Sequence, residues 1–584
     1  MSSRSLLILM AFATLLGLAL TSPSRADQQP ELTLEGELPE GVAANVRTLV
    51  DLSRYPCRPG PGQQTLIRRQ VRDDARRALQ ALGFYQPTLT PRWSEPDDDH
   101  CFRLTLAVQP GPPTLLTGPD IRIQGEAADD PAFQRAVDDS GLREGQRLRH
   151  DRYEALKRTL QQLLINRGYA EGALTEHRLE VDRDRHRARV VLHLDSGPRY
   201  RFGAVTLAGD TQLKEPLVRA YLGFAAGEPF SNERLLSAQQ AYLGTGYFSA
   251  VRVERGEPDR ADHTIDITLH FTPRNEWALL AGAGVSTDTG PRVRLGIENR
   301  RVNADGHKAR AETELSGVRQ GVGAGYTIPL SDPLNEKLEL RTSYVKEQTD
   351  TTDSEIFSVG ADYIVKLDSG WVATPSIEYL RETYQVADQI DQAELVIPGF
   401  QLSRVKSDDP VYPRFGWRLG GKVRGAHKAL SSSATFVQYD LWGKLIVPVF
   451  KGRFITRGEF GFTDVTDVTE LPASLRFFAG GDASVRGFAY ESLGPKNDDG
   501  EVIGGRHLLV GSVEYDYPIT PNWSVAVFGD AGNAFNDFDD YEIERSAGFG
   551  VRWRSPLGPI RVDLARGVEE NRDWRLHLSM GPDL

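Results

Sequence analysis

From Glu276 to Leu584 the helical period is absent, and runs of about ten residues alternate apolar with polar side chains, broken by Gly, Pro, Asn and Asp. In PRVRLGIENR, residues 291–300, Val293, Leu295 and Ile297 oppose Arg292, Arg294, Glu298 and Arg300. In WRLHLSMG, residues 574–581, Trp574, Leu576, Leu578 and Met580 oppose Arg575, His577 and Ser579. A period of two puts the two sets on opposite faces of a strand. Such strands can build a soluble sandwich with its charges outward. About sixteen of them in succession fit a closed cylinder in a membrane better, with apolar side chains toward lipid and charges lining water. Residues 275–584 are therefore expected to form a 16-stranded transmembrane β-barrel.

The start of the chain agrees with that address. Arg4, an apolar run from Leu6 to Leu20, and the small residues Ser24 and Ala26 read as a secretory signal over residues 1–26. The run is shorter than the roughly 20 residues a spanning helix needs. In an oxidising compartment Cys57 and Cys101, the two cysteines of the chain, can pair and would then stabilise the fold by about 4 kcal/mol. Two free buried thiols are the alternative. None of the 11 histidines sits with cysteine at zinc spacing and no phosphate-binding loop is present, so neither metal nor cofactor is expected. A net charge of -12 argues against nucleic acid as a partner.

The first half repeats. ALGFYQPTL at 81–89, NRGYAEGAL at 166–174 and GTGYFSAVRV at 244–253 each place an aromatic residue directly after a glycine, namely Gly83, Gly168 and Gly246. Each glycine ends a helical pattern, as with Tyr153, Leu156, Leu160, Leu163 and Leu164 before Gly168, and so reads as a left-handed cap. Strand-like sequence follows each cap and another strand precedes each helical region, giving a unit of strand, helix, helix, strand, strand. That order resembles the POTRA domain, a polypeptide-transport-associated module, expected here over 27–112, 113–197 and 198–274. The first half is thus α+β repeats whose sheet edges can pair with an extended peptide.

One stretch does not fit a solvent loop. GGDASVRGFAYESLGP, residues 480–495, holds Val485, Phe488 and Tyr490 around Arg486. In WSVAVFGDAGNAF, residues 523–535, Trp523, Val525 and Val527 take the lipid side, so parity turns Ser524, Ala526, Phe528 and Asp530 to the lumen. A lumen carboxylate crowded by a folded-in loop needs a cation. Arg486 is the expected partner; a solvated turn arginine is the alternative.

These segments resemble a known superfamily, the outer-membrane assembly factors and two-partner-secretion transporters, which join POTRA domains to a sixteen-stranded barrel. Its in-folded external loop with an Arg-Gly-aromatic tip is matched by Val485, Arg486, Gly487 and Phe488 around residues 475–495, and its F-x-D-x-G strand by Phe528, Asp530 and Gly532. SDDPVYPRFG at 407–416 and LRFFAGGD at 475–482 are similar to family segments as well. Three POTRA units resemble the translocation and assembly module type, TamA, more than the secretion transporters. The resemblance implies an outer-membrane location in a Gram-negative cell with POTRA domains in the periplasm. It further implies a TamB-like periplasm-spanning partner, and unfolded outer-membrane proteins or autotransporters as clients.

A factor of this kind must expose strand edges, so the closing pair of strands, 276–286 and 573–584, should be weak. Gly282 and Gly284 are expected to weaken the first of them, and Gly581 and Pro582 the last. Trp574 and Met580 would face outer-membrane lipid. The function expected is insertion of barrel proteins by strand addition at that seam. The alternative is a transporter passing a substrate through the lumen, against which stand three modules in place of two. Catalysis is not expected, since His577 and Asp563 belong to no nucleophile motif.

Overall fold

The computed structural model describes residues 29–96, 100–539, 541–555, 558–568, 573–581 and 583–584. The expected signal segment lies outside them, as does Pro582. The chain forms two compact units, one holding the first two repeats and part of the third, the other holding the remainder of the third repeat and everything to the end.

In the first repeat the helices Val42–Leu49 and Pro61–Ala81 cover a three-stranded sheet whose middle strand is Arg103–Gln109. Glu31–Glu35 runs parallel to it and Thr88–Ser94 antiparallel. The apolar positions of the long helix, Ile67, Val71, Ala75, Ala78 and Leu79, are buried against Phe102, Leu104 and Leu106. Cys57 and Cys101 are disulfide-bonded, which ties the segment before the long helix to the start of the middle strand. The second repeat has the helices Pro131–Asp139 and His150–Arg167 on a sheet centred on Arg187–Asp195. An additional short strand, Leu115–Leu116, appears beyond the expected unit. Strand Ala173–Asp182 pairs with Arg187–Asp195 along one side. The third repeat supplies strands Arg201–Ala208, Phe248–Arg255 and Thr264–Pro273 with helices Glu215–Ala220 and Asn232–Gly244.

The recurring glycines have two jobs. Gly83, Gly168 and Gly246 all have positive φ, the left-handed conformation that closes a helix. The first two also dock on the next repeat, because Thr114 N–H donates to the Gly83 carbonyl at 2.9 Å and Tyr200 N–H to that of Gly168 at 2.8 Å. A Cβ on Gly83 would stand 2.4 Å from the Leu148 carbonyl oxygen. Gly83→Ala is therefore expected to cost about 1–2 kcal/mol from backbone conformation alone and to part the first two repeats as well. Faster protease cleavage around residues 110–115 of the full chain would register it, and an unchanged rate would contradict the joint.

The second unit is dominated by a sixteen-stranded antiparallel sheet running in sequence order from Trp277–Ser286 to Arg575–Met580. Outward residues are apolar, as the alternation requires: Val293, Leu295 and Ile297 on the second strand, Gly290–Asn299, are all exposed. Inward residues carry charge and pair with the adjacent strand or the next but one. Arg310 meets Glu339 at 2.6 Å, and Arg341 meets Asp362 at 2.9 Å and Glu378 at 2.7 Å. On the third repeat Tyr247 donates its hydroxyl to the Gly306 carbonyl, and Lys308 binds the Thr245 carbonyl, so the turn 300–307 is anchored there. Hairpin parity puts the loop 465–506, between the eleventh strand, Gly452–Asp464, and the twelfth, His507–Pro518, at the opposite end from that turn.

Candidate functional site: the in-folded loop and the barrel seam

The 465–506 loop turns inward and is held by apolar packing at both ends. Leu471, Ala473 and Leu475 bury against Leu380, Leu395 and Phe436 of the wall, while Val485, Phe488 and Leu493 bury against Leu508, Val510 and Ala534. Arg476 fixes the descent by donating to the carbonyls of Leu471 and Ile503 and to the Gln389 side chain. At the tip, Gly487 has φ +111, and a Cβ there would lie 2.9 Å from the Ser546 side chain. The tip can approach the wall this closely only without a side chain.

Arg486 is 6% exposed and Val485 fully buried. The guanidinium grips Asp530 with two bonds, Nε to Oδ2 and Nη2 to Oδ1, each 2.9 Å, and the Arg486 backbone N–H adds a third to Oδ2 at 3.0 Å. Nη1 donates to Glu514 at 2.9 Å and to Asp563 at 3.2 Å, and Nη2 to the Ser512 hydroxyl at 3.2 Å. The guanidinium carbon lies 3.4 Å from the centre of the Phe528 ring, a cation–π stack. A second buried cation, Arg552, binds Glu514 at 2.9 Å and also pairs with Asp563. Five consecutive strands thus each point one ionisable group at the tip: Glu514, Asp530, Arg552, Asp563 and His577. Gly532 stands opposite Val510, and a Cβ there would be 2.4 Å from the Leu509 carbonyl oxygen, so the wall strands are close-packed beside the tip.

Sequence reasoning placed Arg486 with Asp530 and missed Glu514, Arg552 and Ser512. Parity on the twelfth strand, where Leu508, Val510, Ser512, Glu514 and Asp516 all face inward, marks Ser512 and Glu514 as lumen-facing but does not place them at the tip. Asp563, weighed only as a catalytic group, is an ion-pair partner of both arginines. In the 407–416 segment the Tyr412 ring lies between the guanidiniums of Arg453 and Arg554, at 3.5 and 3.7 Å.

The seam is where the sheet ends meet. Among the described residues no ladder joins the first strand, Trp277–Ser286, to the last, Arg575–Met580. One backbone bond crosses, from Thr287 N–H to the Leu578 carbonyl at 3.2 Å, and Leu578 N–H returns to the Thr287 hydroxyl at 3.2 Å. The loop reinforces this point. Asp482 accepts from the Thr287 hydroxyl at 2.8 Å, its N–H donates to Asp288 at 2.7 Å, and His577 Nδ1 lies 2.6 Å from its Oδ1. His577 Nε2 accepts from the Gly487 N–H at 3.3 Å, which assigns the ring proton to Nδ1. Burial, then the neighbouring Asp482 charge, raises Asp288 above the usual carboxylate range.

One expectation about the seam, the extent of the last strand, needs correction. The ladder from the first strand to the second is continuous through Gly282 with Arg294 and Gly284 with Arg292, so the two glycines leave that pairing intact. The opening lies on its other edge. The last strand stops at Met580 instead of running to Leu584, because Gly581 ends it and Asp583 is drawn inward to Arg453, at 2.7 Å, and to Arg561. Pro582 is not among the described residues.

Comparison with known proteins gives this architecture its family. Residues 242–583 match the Omp85 superfamily domain. The chain belongs to the Omp85 superfamily. Ahead of that domain, residues 31–110 of this Omp85 chain match POTRA domain TamA domain 1, and residues 119–197 and 200–274 match the POTRA family described as a surface antigen variable number repeat. The outer membrane protein assembly factors BamA of Nitratidesulfovibrio vulgaris and Neisseria meningitidis are 24% and 25% identical to it, over 70% and 64% of this chain. They are covered over 54% and 55% of their own length, so the chain spans about half the length of the curated relatives it matches. The crystal structure of Haemophilus ducreyi BamA lacking POTRA domains 1–3 shares the fold, with a TM-score of 0.64 at 18% identity, covering 80% of this chain and 99% of that one. This Omp85 chain is an outer-membrane protein with periplasmic POTRA domains, and the 465–506 loop lies on the external side.

Proposed function

We propose that this chain inserts barrel proteins into the outer membrane. POTRA domains receive the unfolded client, and the first barrel strand templates its strands across the seam. The observation that carries this reading is the edge of Trp277–Ser286, which among the described residues has no ladder partner and is crossed by one backbone bond at its external end. In hydrocarbon each unpaired backbone group costs several kcal/mol, so a bare edge favours an incoming strand that satisfies it. No nucleotide is needed, because client pairing and burial run downhill. The TamA-type first POTRA domain supports a TamB-like periplasm-spanning partner, with outer-membrane proteins such as autotransporters as clients. The names of the assembly-factor relatives support the same class of activity.

Reconstitution tests it. Liposomes containing the purified chain are expected to speed the folding of a urea-unfolded outer-membrane barrel at least about tenfold over empty liposomes, an effect of about 1.4 kcal/mol on the barrier. Equal rates would remove the proposal.

A further inference from the structure

Asp288, Asp482 and His577 come from three segments that are remote in sequence: the first external turn, the in-folded loop and the last strand. One possible ligand atom from each lies within 4.8 Å of the others. The His577 side chain is 6% exposed and that of Asp482 11%, while Asp288 is half-buried at the rim. Hydrogen bonds within it leave a remainder. Asp482 Oδ1 is engaged by Thr287 and His577, whereas Asp482 Oδ2 is buried and has no hydrogen-bond partner among the described residues.

Two carboxylates converge on one imidazole and leave Asp482 Oδ2 buried without a hydrogen-bond partner among the described residues, an arrangement that a cation would complete. The cations nearby are committed elsewhere: Arg486 and Arg552 to Glu514, Asp530 and Asp563, and Arg457 to the Ser484 carbonyl. We propose that Asp288, Asp482 and His577 form a divalent-cation site suited to Zn²⁺, which staples the first turn, the loop and the last strand together across the seam. Carboxylate oxygen with imidazole nitrogen is a donor set that Zn²⁺ accepts in four-coordinate sites, with water completing the shell. Ca²⁺ asks for six to eight oxygens, more than these side chains supply.

The ring nitrogen turned toward the carboxylates is Nδ1, so loading moves the imidazole proton to Nε2 and gives up the 3.3 Å contact from Gly487 N–H. Gly481 leaves the space for Asp288, since a Cβ there would stand 2.6 Å from Asp288 Oδ2. The ion would add metal–ligand bonds where, among the described residues, a single backbone hydrogen bond crosses, making the ease of seam opening depend on zinc.

The full-length chain in detergent, stripped with chelator and titrated with ZnCl₂ by calorimetry, is expected to take up one ion. Zinc should also raise the temperature at which the folded band converts on a semi-native gel. Asp288→Asn, which sits in a turn, and Asp482→Asn, which can still accept from Thr287, are each expected to weaken binding at least about tenfold while keeping the folded band. Absence of zinc uptake, or equal affinity in wild type and Asp288→Asn, would overturn the site. Neither readout involves a client, so this inference and the insertion activity stand or fall separately.

Discussion

Oxidising a cysteine pair at Thr287→Cys and Leu578→Cys is expected to abolish client insertion while leaving the barrel folded. Among the described residues these two share the one backbone bond that crosses the seam, with a second bond through the Thr287 hydroxyl. A covalent link there prevents the first strand from parting from the last, so no client strand can enter between them. The expected loss is at least about tenfold in insertion rate, reversed by reductant, with heat-modified gel migration unchanged. The reduced double variant should be at least as active as the parent, because it lacks the hydroxyl that binds Asp482. The parent keeps its own Cys57–Cys101 bridge and provides the control for reductant. Undiminished insertion by the oxidised form would show that the seam does not open.

Arg486→Ala carries the second large effect. It takes the guanidinium away from Glu514, Asp530 and Asp563, of which Arg552 still pairs with Glu514 and Asp563, and breaking a buried, hydrogen-bonded charge pair in this way costs about 3–5 kcal/mol. The loss falls on the loop's attachment to the wall and not on the strand ladders. The 465–506 loop is therefore expected to be cut by external protease at least about tenfold faster, and single-channel conductance in planar bilayers to rise, while the barrel stays heat-modifiable. Arg486→Lys should rescue only part of this, since an ammonium cannot make the two parallel bonds to Asp530 or stack flat on Phe528. Asp530→Asn should resemble Arg486→Ala. A loop as resistant as wild type would show that apolar packing of Val485, Phe488 and Leu493 suffices to hold it.

What the sequence disclosed follows what is periodic. Alternation along 523–530 assigns Trp523, Val525 and Val527 to lipid and Phe528 and Asp530 to the lumen, because side-chain direction in a strand depends only on parity. The repeated Gly-aromatic pair marked three helix ends for a similar local reason. Depth in the barrel is not periodic. Which inward residues meet Arg486 depends on the stagger of five strands, so Glu514 and Arg552 could be recognised as lumen-facing but not as partners of the tip. His577 and Asp563 could be set aside as catalytic groups but not assigned a partner, for the same reason. Their roles, as clasp of Asp482 and as anion between two arginines, appear only once the loop is folded in. The early end of the last strand was also hidden, since the pull of Arg453 and Arg561 on Asp583 is long-range.

Strand addition at the seam is tested most directly by photocrosslinking in growing cells from three lipid-facing positions: Leu279 on the first strand, Leu576 on the last and Ile377 on the seventh, Val372–Val386. The account predicts client adducts from Leu279 and Leu576 and none from Ile377. Adducts of equal yield from all three, or none at the two seam positions while clients are being inserted, would contradict it.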